Sequence, residues 1–384
     1  MIAKKVSFHS FRNIKEAEIE LSPGVNVLIG NNAQGKTNAL EGIYLMAAGK
    51  SFRTPRERDL VMFGEEYFEA ELLMEDIRRE QELYFKAYSS ESTKRRECKK
   101  NGVVLPRISE LIGVFRAVLF CPEHLAIVKA GPSERRSFLD IAICQLRPVY
   151  LKSLQRFNKI LAQRNALLKQ LSEGCGEKGL LEVYSEQLAK ESALIYKTRY
   201  EYIERLDEFV KHFFKELSQD TKGVSEEREL PELKYKNSMK TDEKLTEMDA
   251  FESYLRLLTE NEHKEIAAGI TLYGSHKDDI EIYLDGREAR QFASQGQQRS
   301  LALAMKLGEG EISMEYSGEY PVFLFDDVLS ELDPGRQRFL LSRLDKRQVI
   351  MTACAPPPVE SDARFIYVDN GIYSTSPVCG KDGQ

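Results

Sequence analysis

Between residues 30 and 37 the chain reads Gly30-Asn31-Asn32-Ala33-Gln34-Gly35-Lys36-Thr37. This octapeptide constrains the fold more than any other stretch, because of what flanks it. Val25-Asn26-Val27-Leu28-Ile29 before it reads as a short buried strand, and Asn38 to Met46 after it reads as a helix. Two glycines let the backbone take angles that a side chain would block, so successive N–H groups can curl around a polyphosphate. The helix that follows points its positive end at the same anion. Lys36 adds a mobile cation for the outer phosphates, and Thr37 offers a hydroxyl to a Mg²⁺ ion. An ordinary Gly/Asn turn would need neither both glycines nor the Lys-Thr pair. The expectation is a nucleotide-binding loop in an α/β fold.

A second stretch completes such a site. Pro321-Val322-Phe323-Leu324-Phe325 is an apolar run ending in Asp326-Asp327. A parallel strand buried on both faces reads this way, and ligands sit at the carboxyl ends of such strands. Asp326 is placed to hold Mg²⁺ and Asp327 to polarise an attacking water, with Lys36 as the third catalytic candidate.

The net charge is -6, so a uniformly basic surface is excluded and any nucleic-acid contact must be local. Six scattered cysteines without a CxxC pair fit reduced thiols rather than a zinc site. No apolar run approaches the ~20 residues of a membrane helix, and Met1 to Lys5 leads directly into a strand. A soluble, cytoplasmic protein is expected.

Along the chain, Val6-Ser7-Phe8 and Ala17 to Leu21 suggest a hairpin feeding the loop strand. Tyr67–Met74 and Gln81–Tyr88 suggest antiparallel strands. Lys94 to Lys100 is the densest basic run, closed by an Asn101-Gly102 turn; it reads either as a solvated hairpin tip or as a DNA-backbone contact. From about residue 122 the texture is helical. Tyr150, Leu154, Phe157, Leu161, Leu168 and Leu171 form one apolar stripe; Leu181, Tyr184, Leu188, Ile195, Tyr202, Phe209 and Phe213 form another beyond Gly174-Cys175-Gly176. An antiparallel helical hairpin spanning roughly 35–50 Å is expected. Strand texture returns at Leu233–Tyr235, Gly269–Tyr273 and Ile280–Leu284. The predicted organisation is an ATPase head from residues 1–120 with 265–384, and an inserted mainly helical domain at 121–264.

Ser294-Gln295-Gly296-Gln297-Gln298-Arg299 opens a helical run ahead of the Asp-Asp strand, and Ser330-Glu331-Leu332-Asp333 follows it. Ser294 alone is an ordinary helix cap. The four elements in this order resemble the phosphate loop, signature loop, acidic strand and D-loop of ABC-type ATPases. Phe11-Arg12-Asn13, Lys50-Ser51-Phe52-Arg53-Thr54, the block Gly131 to Asp140 and Gly274-Ser275-His276-Lys277-Asp278-Asp279 narrow the resemblance to the bacterial RecF family, over nearly the whole chain. Membership implies an SMC-like head without long coiled-coil arms, acting on DNA at single-strand gaps with RecO and RecR. It implies ATP and Mg²⁺ held by residues 30–37 with Arg12, Asn13 and Asp326. It also implies an ATP-dependent homodimer in which Ser294, Gly296 and Gln297 face the partner's nucleotide. The family usually has Pro and Arg where this chain has Ser275 and Lys277, and an acidic residue at His124. Many ABC-type enzymes have Glu where Asp327 stands and a sensor His within what is here Val349–Thr352; RecF-like proteins share the present pattern, which implies slow hydrolysis. DNA-contact candidates from charge density are Arg135 and Arg136, then Lys94 to Lys100. A transporter-coupled or a nuclease-linked ATPase is the competing reading.

Overall fold

The computed structural model describes residues 1–89, 96–125, 127–221, 230–345, 347–357 and 363–376. The chain divides into two compact units: residues Met1–Ala126, Glu216–Glu226 and Lys306–Gln384 form the first, Ile127–Lys215 and Glu227–Met305 the second. The first unit begins with β1 (Ile2–Phe11), β2 (Ile14–Glu20), β3 (Val25–Ile29), α1 (Lys36–Ala48), β4 (Tyr67–Glu75), β5 (Glu80–Tyr88), β6 (Arg96–Lys100), β7 (Val103–Val104), β8 (Ala117–Phe120) and α2 (Pro122–Leu125). The second holds α3 (Pro132–Leu146), α4 (Pro148–Ser172), most of α5 (Lys178–Thr221), β9 (Pro231–Lys236), α6 (Glu247–Glu260), α7 (Glu262–Ala268), β10 (Asp279–Leu284), β11 (Arg287–Glu288), α8 (Ala289–Phe292) and the start of α9 (Gln295–Ser317). The chain then returns to the first unit with β12 (Val322–Phe325), α10 (Pro334–Ser342), β13 (Val349–Ala353), β14 (Arg364–Asp369) and β15 (Ile372–Ser374).

In the first unit, one sheet is antiparallel, in the order β2-β1-β4-β5-β6-β7. Its strands alternate as a half-buried sheet must: Phe68, Ala70, Leu72 and Met74 of β4 point inward between Glu69, Glu71 and Glu75. The other sheet runs β15-β14-β3-β13-β12-β8, parallel except for β15. Its β8 and β12 are buried at every residue, as a strand covered on both faces should be. Helix α1 touches strands of both sheets and is buried nearly all round, including Leu40, Ile43, Leu45 and Met46. A Cβ on Gly42 would meet the Phe8 ring at 2.1 Å, so only glycine lets α1 approach β1 this closely.

Of the basic run at 94–100, Lys94 and Arg95 lie outside the described residues. The remainder is a strand rather than a tip. Arg96 is bound to Glu57 at 2.6 Å, and Lys99 to Glu97 at 2.9 Å. The Asn101-Gly102 turn forms with φ of 51° and 76°.

In the second unit, α4 and α5 pair antiparallel: Arg147 meets Glu201, Ser153 meets Glu191 and Arg164 meets Ser185. Helix α4 has 25 residues, about 37 Å, but α5 has 44, about 66 Å, which is longer than expected. No Gly or Pro occurs between Leu180 and Thr221 to stop it. Residues 269–273 are not a strand. Gly269 ends α7 at φ 66°, Thr271 N–H donates to Asn165 at 2.8 Å, and Leu272 N–H donates to Glu265 at 2.8 Å. Side chains satisfy this backbone where a sheet neighbour was expected. Strand β10 pairs with β9 and β11, so the second unit reaches to Met305 and takes in residues placed with the head by texture alone.

The blocks 131–140 and 274–279 meet inside this unit as an ion-pair network. Arg135 holds Asp279 in a buried fork at 2.8 and 2.5 Å, and Arg136 donates to the Asp278 carbonyl at 2.9 Å. Asp140 takes Arg199 at 2.8 Å and Tyr150 at 2.5 Å. Asp278, fully enclosed, accepts from Tyr235 at 2.6 Å and Tyr254 at 3.1 Å; burial pushes its carboxyl up, with Arg199 opposing. Arg135 is therefore a structural cation and not a phosphate contact, because its guanidinium is already neutralised away from solvent. The Ser275 hydroxyl donates to the Ser192 carbonyl at 3.0 Å, so the residue in place of proline serves the same buried core. In the first unit His124 lies against the Leu119 carbonyl at 2.9 Å; burial and Lys306 hold it neutral, with a pKa of about 3.

Candidate nucleotide-binding site

The site lies in the first unit, at the carboxyl ends of β3, β12 and β13. Gly30 leaves β3 where a Cβ would stand 2.2 Å from the Val368 carbonyl oxygen. Ala33 and Gly35 have φ of 65° and 115°, which curls the loop before α1 starts at Lys36. No side chain caps that helix and its first turn carries no acid, so its N–H groups point at the loop's own hollow. Gly30→Ala is expected to cost roughly 1–3 kcal/mol by forcing β14 away; a thermal midpoint equal to wild type would contradict this packing.

Lys36 is buried to 8% exposure and donates to the carbonyls of Gly30 at 2.5 Å and Asn31 at 3.0 Å. Thr37 Oγ1 donates to Asp326 Oδ1 at 2.7 Å, and Thr352 Oγ1 donates to the same oxygen at 3.1 Å. Burial raises the Asp326 carboxyl above the ordinary aspartate range, with both hydroxyls pulling it down. The next residue, Asp327, is exposed and sits at φ 52°, a left-handed conformation uncommon for a side-chain-bearing residue. Its N–H is fixed by Thr352 Oγ1 at 2.8 Å. Thr352 thus stands in the stretch without a sensor histidine, and its hydroxyl holds the Asp326 carboxylate and the Asp327 backbone N–H.

Residues from elsewhere in the chain brace the loop and the start of α1. Arg12 grips the fully buried Glu41 with two bonds of 3.0 and 2.8 Å, and Ser51 and Arg53 reach the same carboxylate. Asn13 accepts from Asn38 at 2.7 Å, and Arg53 donates to Asn38 at 2.8 Å. From the far end of the chain, Asn370 N–H donates to the Gln34 side chain at 2.6 Å and Gly371 N–H to its carbonyl at 2.8 Å. Tyr373 donates to the Gly35 carbonyl at 2.9 Å, and Cys354 Sγ lies 3.1 Å from Asn32 Oδ1. Thr352, Asn370, Gly371 and Tyr373 were missed by sequence reasoning. The Asn370-Gly371 turn signal was the one available cue.

The signature residues belong to the second unit. Ser294 caps α9 reciprocally: its hydroxyl accepts from Gln297 N–H at 3.2 Å, and the Gln297 side chain accepts from Ser294 N–H at 2.6 Å. Gly296 lies in the first turn. Asp333 likewise caps α10, accepting from Gly335 and Arg336 N–H at 3.1 Å each.

The donor set suits a polyphosphate with a hard cation. The glycine cradle and helix end provide N–H groups, Lys36 a cation, and Thr37 with Asp326 two oxygens. Among the described residues no group of three or more His, Cys, Asp or Glu could hold a metal alone. A Mg²⁺ ion here would draw its remaining ligands from phosphate oxygens and water.

Residues 2–371 match the RecF/RecN/SMC N terminal domain. A DNA replication and repair protein RecF from an Exiguobacterium species is 40% identical over 385 residues, covering 98% of this chain and all of that one. The chain belongs to the RecF family. Another RecF, from Clostridium botulinum, is 36% identical over 97% of this chain and 99% of its own. The solved recombination mediator protein RecF-ATP in the RecFOR pathway superposes at a TM-score of 0.89, with 36% identity over 97% of this chain and 96% of that one. An Smc head domain from Pyrococcus furiosus, 17% identical, shares the fold at a TM-score of 0.53 over 97% of this chain and 94% of its own. The RecF family assignment carries with it a P-loop, ABC-type α/β head and a place in DNA replication and repair. No helix among the described residues is long and apolar enough to cross a membrane.

Proposed function

We propose that this chain is an ATP-gated DNA-binding protein of recombinational repair. It would work in the cytoplasm at single-strand gaps with RecR and RecO, using slow, DNA-stimulated ATP hydrolysis as a switch. The observation that carries the reading is the 2.7 Å bond between Thr37 and Asp326 beneath a cradle only glycine can form. That bond joins the two halves of a Mg²⁺–nucleotide site from opposite ends of the sequence. The RecF-ATP structure and the repair function of the relatives support it.

In this reading residues 30–37 wrap the phosphates, Thr37 and Asp326 hold Mg²⁺, and Arg12 and Asn13 keep the loop and α1 in register. Asp327 orients and deprotonates the attacking water from its strained, exposed position. Asp327→Asn is expected to keep nucleotide affinity and lower turnover by about 10²–10⁴-fold; turnover at the wild-type rate would move the base elsewhere.

Ser294, Gly296 and Gln297 act in trans, offering a helix start to the γ-phosphate bound by a second copy. Each of two composite sites then needs Lys36 from one chain and Ser294 from the other. Lys36→Met and Ser294→Arg chains should each fail to dimerise with ATP. Mixed, they form some heterodimers with one intact site, and light scattering should show partial recovery. Normal ATP-dependent dimerisation of either single variant would refute the trans arrangement.

A further inference from the structure

Helix α4 contains Lys152, Arg156, Lys159, Arg164 and Lys169 and no Asp or Glu in its 25 residues. The whole chain carries more acid than base, at a net charge of -6. A helix of this length without a carboxylate is thus a one-sided charge distribution in an otherwise acidic protein. Arg164 turns inward, fully buried against Glu265 at 2.6 Å. The other four cations are exposed: Lys152, Arg156 and Lys159 lie on the side of the helix opposite Tyr150, Phe157 and Leu168, and Lys169 lies at the margin of that side. Lys152, Arg156 and Lys159 follow at four and three residues, which stacks them along one line. Lys169 extends the cationic side to about 25 Å from Lys152 at 1.5 Å per residue. Glu191 of α5 takes Arg156 at 2.6 Å. Among the described residues no carboxylate pairs with Lys152, Lys159 or Lys169.

Between the lysines the exposed side chains are Gln155, Asn158, Ala162, Gln163 and Ala166, with Gln170 just beyond. Amides donate to phosphate oxygens, and alanines let a backbone approach closely. No aromatic ring lies on this face, so it offers no platform for an unpaired base. We propose that the exposed face of α4 is a sequence-independent binding surface for the phosphate backbone of duplex DNA, with Lys152, Lys159 and Lys169 as its contacts. The proposal rests on the DNA-binding reading above and gives it a location. Arg156, anchored by Glu191, is a fixed point beside them.

The test is fluorescence anisotropy on a random-sequence duplex with ATP present, over a salt titration. It compares wild type with Lys152→Gln/Lys159→Gln/Lys169→Gln, after circular dichroism has shown both folded. Each lost phosphate contact flattens the plot of log affinity against log salt by about 0.9. The triple variant should therefore lose roughly 2–3 from that slope and bind on the order of 10-fold more weakly or worse at physiological salt. The charge-keeping Lys→Arg triple should bind as wild type does. Lys178→Gln/Lys190→Gln/Lys197→Gln on α5 makes the same change in net charge and should stay within about twofold.

Wild-type protein that binds no duplex at any salt would overturn the DNA reading itself. Wild-type protein that binds, beside a triple variant with equal affinity and slope, would overturn the α4 assignment and leave that reading standing. Equal losses in the α5 control would also overturn it, since bulk charge rather than this face would then govern binding. So would a triple variant that keeps duplex affinity but loses an acidic protein partner, for the face would then belong to that partner.

Discussion

Glu265→Ala is expected to destabilise the second unit by about 3–5 kcal/mol. Glu265 and Arg164 are both at 0% exposure, and their oxygen and nitrogen are 2.6 Å apart. The carboxylate also receives Leu272 N–H at 2.8 Å, so its removal strands a backbone donor as well as a guanidinium. Arg164 would keep only the hydroxyls of Thr271 at 2.9 Å and Ser185 at 3.2 Å, neither of which neutralises it. At roughly 2–4 °C per kcal/mol for a unit of this size, the melting midpoint should fall by about 6–20 °C. Replacing both partners by leucine should recover much of the loss, because a buried pair contributes little net stability beyond what apolar packing would. A single variant that melts with wild type would show that the pair is solvated in solution.

Lys36→Met should weaken ATP binding by roughly 10–150-fold, the equivalent of losing one charged hydrogen bond of about 1.5–3 kcal/mol. Met keeps the length of the stem, so the buried channel stays filled. What disappears is the ammonium group, now shared between the Gly30 and Asn31 carbonyls. Isothermal titration with ATP and Mg²⁺ reads the change directly. Unaltered affinity would mean that the nucleotide does not bind in this loop.

The strand–loop–helix and the Asp-Asp strand were legible because their chemistry is local: glycines, a buried run and a cation within a few residues. The apolar stripes were legible in part. Tyr150, Phe157, Leu168, Leu188 and Ile195 are buried, whereas Leu154 and Leu161 are only half-buried. What defeated the reading was charge paired across distance. Arg164 and Glu265 are 101 residues apart, and Arg135 and Asp279 are 144 apart. A lone arginine in a sequence looks exposed until its partner is known, and so Arg135 read as a phosphate contact. The brace on Gln34 was hidden in the same way, since Asn370 stands 336 residues downstream.

The place of β3 in its sheet has a consequence for the chain's synthesis. Residues 25–29 find their hydrogen-bonding neighbours at 349–353 and 364–367. At about 5–20 residues per second, a ribosome needs roughly 17–70 s to carry the chain from the first of these strands to the last. For nearly all of that interval Val25, Val27, Leu28 and Ile29 belong to a strand whose neighbours are not yet made, and the phosphate loop hangs from it without the turn that will brace it. The phosphate-binding loop is thus among the first segments made and among the last to gain its supporting strands and brace. A chaperone that shields the first thirty residues would act where delay is longest.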